Sequence, residues 1–520
     1  MQIGSIRNMQ KIYHKISEKI LKITNAFFGV FIFLVFYFAL TSPNLTLGDN
    51  VNKQTIGDRT TWVVVLFLVT LILVTLITLV NRKIRVISRV LFIDYGLITG
   101  SILLTLSFIL QLIVIFHTHP AIGFDPGAIH DALLDPNRED LKSYFSYNTN
   151  NLPLLLVQRA ISGGLKNSSW LTFDLINSLL LLVTVLLNLL TVYLLDKKSL
   201  KVTLYIHALW IVVFPMVLVP YSDVAILPMV SALLALYALT SKTKNYFVIL
   251  LSAIGIGIVV TCIYFIKPSA IIPIIAIFII EIVMVTKKNI IKTLIIIFVI
   301  FGVVSTSYVY LQKQLSQQNY IKIQKNRTIP AIHFVSMGVS GDGGYNPSDA
   351  LAMAKLKSQK EMREYSQKKL IARLHQKGVF GYLKFLIHKQ NKNSADGTFG
   401  WLIEGHFMQT KPTGNGLKRL IQEFIYPGGK HLADFRFISQ VWWIGLLGVI
   451  FLGWQQKNRY LNVLRLSITG GFIYLLIFEG GRSRYLIQFL PLFLILASLI
   501  YLPTIKLLTE KLAWIHASNN

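Results

Sequence analysis

The sequence predicts an all-α protein that crosses a membrane many times. Of its 520 residues, 54% are hydrophobic and only 14% are charged, which is too little charge for a soluble chain of this length. Apolar stretches of about 18 residues or more recur along the whole chain, and each can span a bilayer as a helix. The formal net charge of +28 comes from Lys and Arg residues between these stretches, where they meet anionic lipid. The charge therefore does not indicate a nucleic-acid partner.

Twelve membrane spans are predicted from the apolar stretches. Their approximate bounds are 23–42, 62–80, 90–116, 171–195, 203–220, 224–240, 246–266, 269–285, 293–311, 438–454, 461–478 and 485–505. If the spans alternate, the short basic connections, such as 82–89 and 197–201, all fall on one side. Basic connections stay in the cytoplasm. The sequence therefore predicts a multi-pass protein of the cell membrane with both termini in the cytoplasm.

This topology divides the chain into four regions. Residues 1–89 hold a basic interfacial segment and two spans, and residues 90–311 hold the transmembrane core with a long first outer loop at 117–170. Residues 312–437 form a longer outer region, and residues 438–520 hold three spans and the cytoplasmic tail. Long loops cross the membrane largely regardless of their charge, so the basic region 312–437 is expected outside.

The long outer region contains two segments with helical character. Helical spacing from Asp349 to Gln376 predicts a helix that Gly378 ends. The segment Val379 to Leu386 is rich in aromatic residues and leucine, which predicts a helix lying on the membrane surface.

Charged side chains follow the ends of several spans on the predicted outer face. Six residues share this placement: Asp125, Asp131, Asp223, Lys267, Arg482 and Arg484. Charged groups near a bilayer are costly to desolvate, so they are often functional. A carboxylate can deprotonate an attacking hydroxyl, and guanidinium groups bind phosphate well. Together they indicate transfer of a sugar from a polyprenyl phosphate to an acceptor outside the membrane.

Each of these residues also has a structural interpretation. Asp125 precedes Pro126 and Gly127, as in a turn. Asp131 suits a solvated helix surface, and Asp223 suits the amino-terminal cap of a helix. The basic residues suit anchors in the headgroup region.

Other motifs are weaker. His117, His119 and His130 do not form a clear zinc pattern, and the single cysteine, Cys262, excludes an internal disulfide. The glycine-rich segment 337–345 lacks the Gly-Lys-Ser/Thr ending of a nucleotide-binding loop.

Seven motifs in order strengthen the sugar-transfer hypothesis. They are Phe-Asp-Pro-Gly at 124–127, Tyr-Phe-Ser-Tyr-Asn-Thr-Asn-Asn-Leu-Pro-Leu-Leu at 144–155, Pro-Tyr-Ser-Asp at 220–223, Lys-Pro at 267–268, His-Phe-Val-Ser-Met-Gly at 333–338 with Gly-Gly-Tyr at 343–345, Asp-Gly-Thr-Phe-Gly-Trp at 396–401 and Arg-Ser-Arg-Tyr-Leu at 482–486 with Pro491. This pattern resembles the GT-C superfamily of glycosyltransferases, and most closely the bacterial relatives of protein O-mannosyltransferases. In particular, it is similar to a Gram-positive, exosortase-associated family of integral membrane glycosyltransferases.

The resemblance implies a GT-C-like fold with juxtamembrane helices and an inverting transfer from a polyprenyl-phosphate sugar. Asp125 would be the catalytic base and Asp223 a second catalytic acid. The phosphate would be held by Arg482, Arg484 and Lys267. The substrate would be contacted by Asp131, Tyr144, Asn151, Asp396, Trp401 and His406, with Trp401 as a stacking surface for the sugar. The acceptor would be an envelope glycan, teichoic acid, lipid or protein.

No cofactor is certain, because only some members of the superfamily need a divalent metal, and this question stays open. One feature departs from the superfamily. The proposed catalytic loop follows the third span instead of the first, so the first two spans would be an addition to the core.

Two other functional classes compete with the enzyme. A transporter or lipid-sugar flippase is one, although such proteins usually place polar groups near the bilayer midplane. The other is a non-catalytic envelope assembly protein, which would not need its outer acids and arginines to come together.

Overall fold

The computed structural model describes residues 2–47, 59–285, 290–402, 408, 410–456 and 458–517. Within these ranges every regular element is a helix. Among the described residues, ten helices are long and apolar enough to cross a membrane: Lys15–Leu40, Trp62–Val80, Gly96–His117, Trp170–Leu195, Ser222–Lys242, Tyr246–Ile266, Ile290–Gln317, Leu432–Leu452, Arg459–Ile477 and Ser483–Lys511. Helices suit this environment because each satisfies its own backbone polar groups. The predicted class, an all-α polytopic membrane protein, is confirmed.

The other two predicted spans, 203–220 and 269–285, are shorter, broken elements. The first is Leu200–Val212 followed by the 3₁₀ turn Pro215–Leu218, and the second is the 3₁₀ turn Pro268–Ile271 followed by Ile272–Val283. A residue before proline disfavours the helical conformation. Accordingly, Phe214 and Lys267 have extended ψ angles of 86° and 89°. The break at Pro268 leaves Lys267 in a turn rather than inside a helix.

The connections between these segments form two groups, one at each end of the bundle. The first group is called the basic face, and three contacts connect its segments. Lys201 Nζ donates to the Ile93 carbonyl oxygen (2.7 Å), Lys242 Nζ donates to the Leu195 carbonyl oxygen (3.4 Å), and Arg459 forms an ion pair with Glu281. The second group, called the site face, consists of the described parts of 41–61, 118–169, 219–221, 267–271, 318–431 and 478–482. Both short elements run from one face to the other. Among the described residues, ten long helices and these two shorter elements lie between the two faces. The side of the membrane on which each face lies stays a prediction.

The site face carries most of the helices that lie outside the bundle. They are Phe124–Leu134, Glu139–Tyr147, Leu152–Leu165, Ala331–Met337, Pro347–Lys355, Gln359–Ser394 and Gly416–Ile425. The prediction of one helix from Asp349 to Gln376 is wrong, because the chain forms two helices there and Ser358 caps the second. Gly378, with φ of 58° and ψ of −175°, interrupts the helical backbone where the sequence predicts a helix end, and a further helical segment follows directly. Beyond the kink, Val379 and Phe380 are exposed, as expected for a helix on a membrane surface.

The last span, Ser483–Lys511, lies at the centre of the bundle. Its residues Leu490 to Ala497 are all buried, and it packs against Trp170–Leu195, Leu200–Val212 and Leu432–Leu452. A helix that is apolar on every side is expected in such a central position. Its first turns, the 3₁₀ segment Ser483–Phe489, therefore emerge from the middle of the bundle onto the site face. This position places Arg484 among the other outer connections.

The amino-terminal segment and one connection on the basic face are also helical. The basic segment expected as a separate interfacial helix is instead continuous with the first span in one helix, Gln2–Leu40. On the basic face, the short helix Arg82–Arg89 precedes a π-helical turn, Val90–Asp94, which leads into Gly96–His117.

Candidate functional site

Asp125 lies in the first turn of the helix Phe124–Leu134, where negative charge is favoured by the helix dipole. The chain approaches this helix through two non-glycine residues with positive φ, His119 (28°) and Phe124 (57°). Such backbone angles are unfavourable for residues with a side chain and tend to occur at functional sites. The Asp125 carboxylate accepts hydrogen bonds from Tyr144 Oη (2.6 Å) and Tyr221 Oη (3.2 Å).

Asn151 closes these contacts into a ring. Its amide nitrogen donates to Tyr144 Oη (2.5 Å), and its amide oxygen lies 3.0 Å from Tyr221 Oη, which has one proton to share between Asn151 and Asp125. Burial, together with the negative charge of Asp125, raises the pKa of Tyr144 and Tyr221 well above their ordinary value. Both phenols therefore keep their protons and act as donors. Tyr144 orients the carboxylate of Asp125 directly, and Asn151 does so through the two tyrosines. Contact of Tyr144 and Asn151 with substrate stays a prediction.

Asp223 lies between two cations. One carboxylate oxygen forms an ion pair with Lys267 Nζ, and the other lies 3.5 Å from Arg484 Nε. The three residues come from the helix Ser222–Ala225, the turn before Pro268 and the 3₁₀ segment Ser483–Phe489. All three are largely buried, and taking charges out of water is costly. The guanidinium of Arg484 also lies 5.8 Å from the centre of the Tyr221 ring, so Tyr221 connects this group to Asp125.

Glu479 is a third acid at this site, and sequence reasoning missed it. Tyr485 Oη donates a hydrogen bond to Glu479 Oε1 (2.9 Å). Burial raises the pKa of Glu479, the hydrogen bond and the charges of Arg482 and Arg484 oppose that rise, and the charge of Asp125 adds to it. Glu479 and Asp125 are therefore within electrostatic reach of each other. The available signal was an acid directly before Gly480 in an outer turn, next to the arginine pair.

Arg482 borders the same region. Its guanidinium lies 5.7 Å from the centre of the Tyr345 ring. Burial raises the pKa of Tyr345, and the charges of Glu479 and Asp125 add to the rise, whereas Arg482 opposes it. The glycine-rich segment 337–345 thus brings Tyr345 close to three charged groups. Arg482 and Tyr345 are both partly exposed, so this side of the site is open.

Asp131 lies beside the ring of Asp125 and not in it. Its carboxylate pairs with exposed Arg138 (3.0 Å). It lines an open groove of about 490 Å³ that also includes Tyr144, His130 and Trp170. The rings of His130 and Trp170 stack, with centres 4.1 Å apart. Tyr144 therefore separates this groove from Asp125 and touches both.

Two of the other predicted substrate residues have structural partners. Asp396 accepts hydrogen bonds from the backbone nitrogens of Thr398 (2.8 Å) and Gly400 (2.9 Å), and so fixes its own turn. Trp401 is fully buried, and its indole nitrogen donates to the Ile425 carbonyl oxygen (2.9 Å). This burial corrects the expectation of a sugar-stacking surface, because neither face of the ring is available. His406, the last predicted substrate residue, lies outside the described residues.

Within the described ranges, no three His, Cys, Asp or Glu side chains come together as potential metal ligands. The acids of the site are held instead by tyrosine hydroxyls and by cations.

A comparison with family models identifies the chain at the level of a family. The model described as "Conserved hypothetical integral membrane protein" matches residues 16–505. The chain belongs to this family. The family match includes the first two spans as well as every residue of the site from Asp125 to Tyr485. No curated protein and no solved structure matches the chain.

Proposed function

We propose that this integral membrane protein is a GT-C-type glycosyltransferase. It would transfer a sugar from a polyprenyl phosphate to an acceptor at the outer face of a Gram-positive plasma membrane, with both termini in the cytoplasm. One observation carries the proposal. A carboxylate oriented by two tyrosines, Asp125, shares one face of the bundle and one tyrosine contact with the buried cation Arg484.

The proposed reaction assigns one role to the carboxylate of Asp125 and another to the cations. Asp125 removes the proton from an acceptor hydroxyl, whose oxygen attacks the anomeric carbon of the sugar. As the new carbon–oxygen bond forms, the bond from the anomeric carbon to the phosphate oxygen breaks, and its electron pair stays on the lipid phosphate. That phosphate gains a negative charge in the transition state, which fixed cations stabilise.

The structure refines the proposed roles of the basic residues. Lys267 and Arg484 are paired with Asp223, so we assign Asp223 to holding these two cations in place. Arg482 is more accessible and lies beside Tyr345, so we assign it the direct contact with the donor phosphate. Guanidinium binds phosphate oxygens in a bidentate manner, which suits this role.

The groove beside Tyr144 is the proposed acceptor side. It combines the stacked pair of His130 and Trp170 with the charged residue Asp131, as expected for a polar ligand with apolar patches. An envelope glycan, teichoic acid, lipid or protein chain lying there would place a hydroxyl near Tyr144, and hence near Asp125. The acceptor class is open among these four.

The geometry supports an enzyme over the two competing classes. A non-catalytic assembly protein would not require segments around residues 125, 221, 267 and 484 to converge on one buried cluster, yet they do. A transporter usually binds its substrate near the bilayer midplane. Here the cluster is built from the connections at one end of the bundle.

The test is the substitution Asp125→Asn in purified protein supplied with a polyprenyl-phosphate sugar and a cell-envelope fraction as acceptor. Loss of a general base should lower the transfer rate by about 10²- to 10⁴-fold. The matched control is Asp135→Asn in the same outer segment, since the exposed Asp135 side chain only caps a local turn. Near-normal transfer by Asp125→Asn would remove Asp125 from the proposed role.

A further inference from the structure

Lys389 is a fully buried lysine in the outer helix Gln359–Ser394. Its ammonium donates three hydrogen bonds to backbone carbonyl oxygens: those of Gly338 (2.7 Å), Phe478 (2.7 Å) and Leu476 (3.0 Å). A lysine ammonium has three donors and no acceptor, so all of its hydrogen-bonding capacity is used. All three hydrogen-bond acceptors are uncharged backbone carbonyl groups.

The three carbonyls belong to two segments that both lead into the site. Gly338 follows the helix Ala331–Met337 and begins the glycine-rich segment that ends at Tyr345. Leu476 and Phe478 lie at the end of the helix Arg459–Ile477, immediately before Glu479. The last carbonyls of a helix have no partner within that helix, and a cation at this end is favoured by the helix dipole. Lys389 therefore caps the end of the helix Arg459–Ile477 and connects it to the segment that begins at Gly338.

Neighbouring contacts reinforce this junction. The Gly480 backbone nitrogen donates to the Gly343 carbonyl oxygen (2.9 Å), and the Gly481 nitrogen donates to Asn393 Oδ1 (2.7 Å). Asn393 lies one helical turn after Lys389, so one face of the outer helix contacts both segments. A Cβ atom on Gly343 would lie 2.4 Å from Lys389 Cδ, and Gly343 has φ of 88°. Position 343 therefore requires glycine, because a side chain would clash with Lys389 and because the positive φ is unfavourable for other residues.

Burying this ammonium is unfavourable. Desolvation lowers the pKa of Lys389 to about 7, and only the nearby charge of Glu479 counters it. A methionine would fill the same space without that cost. The three directed hydrogen bonds give the lysine a role that an apolar side chain of similar length cannot fill.

We propose that Lys389 is a positioning residue that holds the turn carrying Glu479 and Arg482 against the segment carrying Tyr345. The catalytic part of this inference rests on the proposed function, because Arg482 is assigned there to the donor phosphate. The structural part, that Lys389 holds the two segments together, does not rest on the proposed function. A loosened turn would move Arg482 while leaving Asp125 and its tyrosines in place.

The test compares Lys389→Met with Lys384→Met, an exposed lysine on the same outer helix. Two measurements are made on each purified protein. Hydrogen exchange followed by mass spectrometry should show at least about tenfold faster exchange in residues 479–482 and 339–344 of Lys389→Met, and no change in Lys384→Met. Kinetics with a polyprenyl-phosphate sugar should show a KM for the donor about tenfold higher in Lys389→Met, with kcat changed far less.

A double variant separates positioning from a general structural effect. If Lys389 acts through Arg482, then Lys389→Met should add little to the defect of Arg482→Gln. Asn393→Ala removes the hydrogen-bond partner of the Gly481 nitrogen and should give a smaller change of the same kind. It replaces Lys389→Met in the test if Lys389→Met does not fold. Unchanged exchange in residues 479–482 in the folded variants, or fully additive kinetic defects, would overturn the proposal. If the wild-type protein transfers no sugar, the proposed function fails, and the exchange measurement alone decides the role of Lys389.

Discussion

Replacing Asp223 with Asn should destabilise the protein strongly. The side chains of Asp223, Lys267 and Arg484 are 3%, 11% and 8% exposed, so water cannot compensate for a lost charge. Asn keeps the shape of Asp but removes the negative charge between the two cations. Breaking a buried ion pair by removing one partner costs about 3–5 kcal/mol. We expect the free energy of unfolding to fall by about this amount.

Equilibrium unfolding of the purified protein in mixed detergent–SDS micelles measures this change. The double variant Asp223→Asn with Lys267→Met should be more stable than Asp223→Asn alone, because it removes one of the two uncompensated cations. Asp140→Asn is the control, since Asp140 pairs with Arg138 at an exposed position and should contribute little. Stability of Asp223→Asn equal to that of the wild type would refute the assignment of Asp223 as the partner of two buried cations.

Two further predictions concern the other groups of the site. Tyr221→Phe removes the hydroxyl shared by Asp125 and Asn151, so transfer should slow by about tenfold or more in a steady-state assay, with folding retained as judged by size-exclusion chromatography. Because burial raises the pKa of Glu479, its ionisation opposes folding, and the wild type loses stability relative to Glu479→Gln as pH rises through that raised value. Glu479→Gln should therefore unfold at a higher temperature than the wild type at pH 7, and this gain should shrink towards pH 4, while a difference that does not depend on pH would contradict the assignment.

The grouping of the loops into two faces was predictable because loop charge is a local property of the sequence. Basic residues such as Arg82 and Lys201 marked one face, and this marking alone placed Asp125, Asp223 and Arg484 on the other. Hydropathy also located the two short spans. It could not show that proline breaks both, because their apolar runs continue across the break.

The contacts within the site depend on burial and direction, which single-residue patterns do not encode. Tyr221 reads as an ordinary interfacial aromatic residue, yet it touches Asp125 and lies over Arg484. Trp401 was expected to be a stacking surface for the sugar, yet its ring is fully buried. Lys389 is one of several lysines on its helix, and its burial results from packing between segments more than 45 residues apart in the chain.

Gly378, in contrast, was predictable. Glycine with positive φ commonly ends a helix, which is why the sequence predicted an end at this position. The helical backbone is interrupted there, and a further helical segment begins directly after it at an angle. The aromatic and aliphatic residues that follow, such as Phe380, are exposed and would favour the turn towards a membrane surface.

The central claim is that the protein breaks the bond between a sugar and a lipid phosphate. The direct measurement uses wild-type protein in liposomes that contain a polyprenyl-phosphate sugar labelled in the sugar, with an envelope fraction added on the side of the site face. The claim predicts that labelled sugar appears on the acceptor and that polyprenyl phosphate is released in equal amount. Movement of the intact labelled lipid across the bilayer, with no release of polyprenyl phosphate, would contradict the claim and favour a flippase.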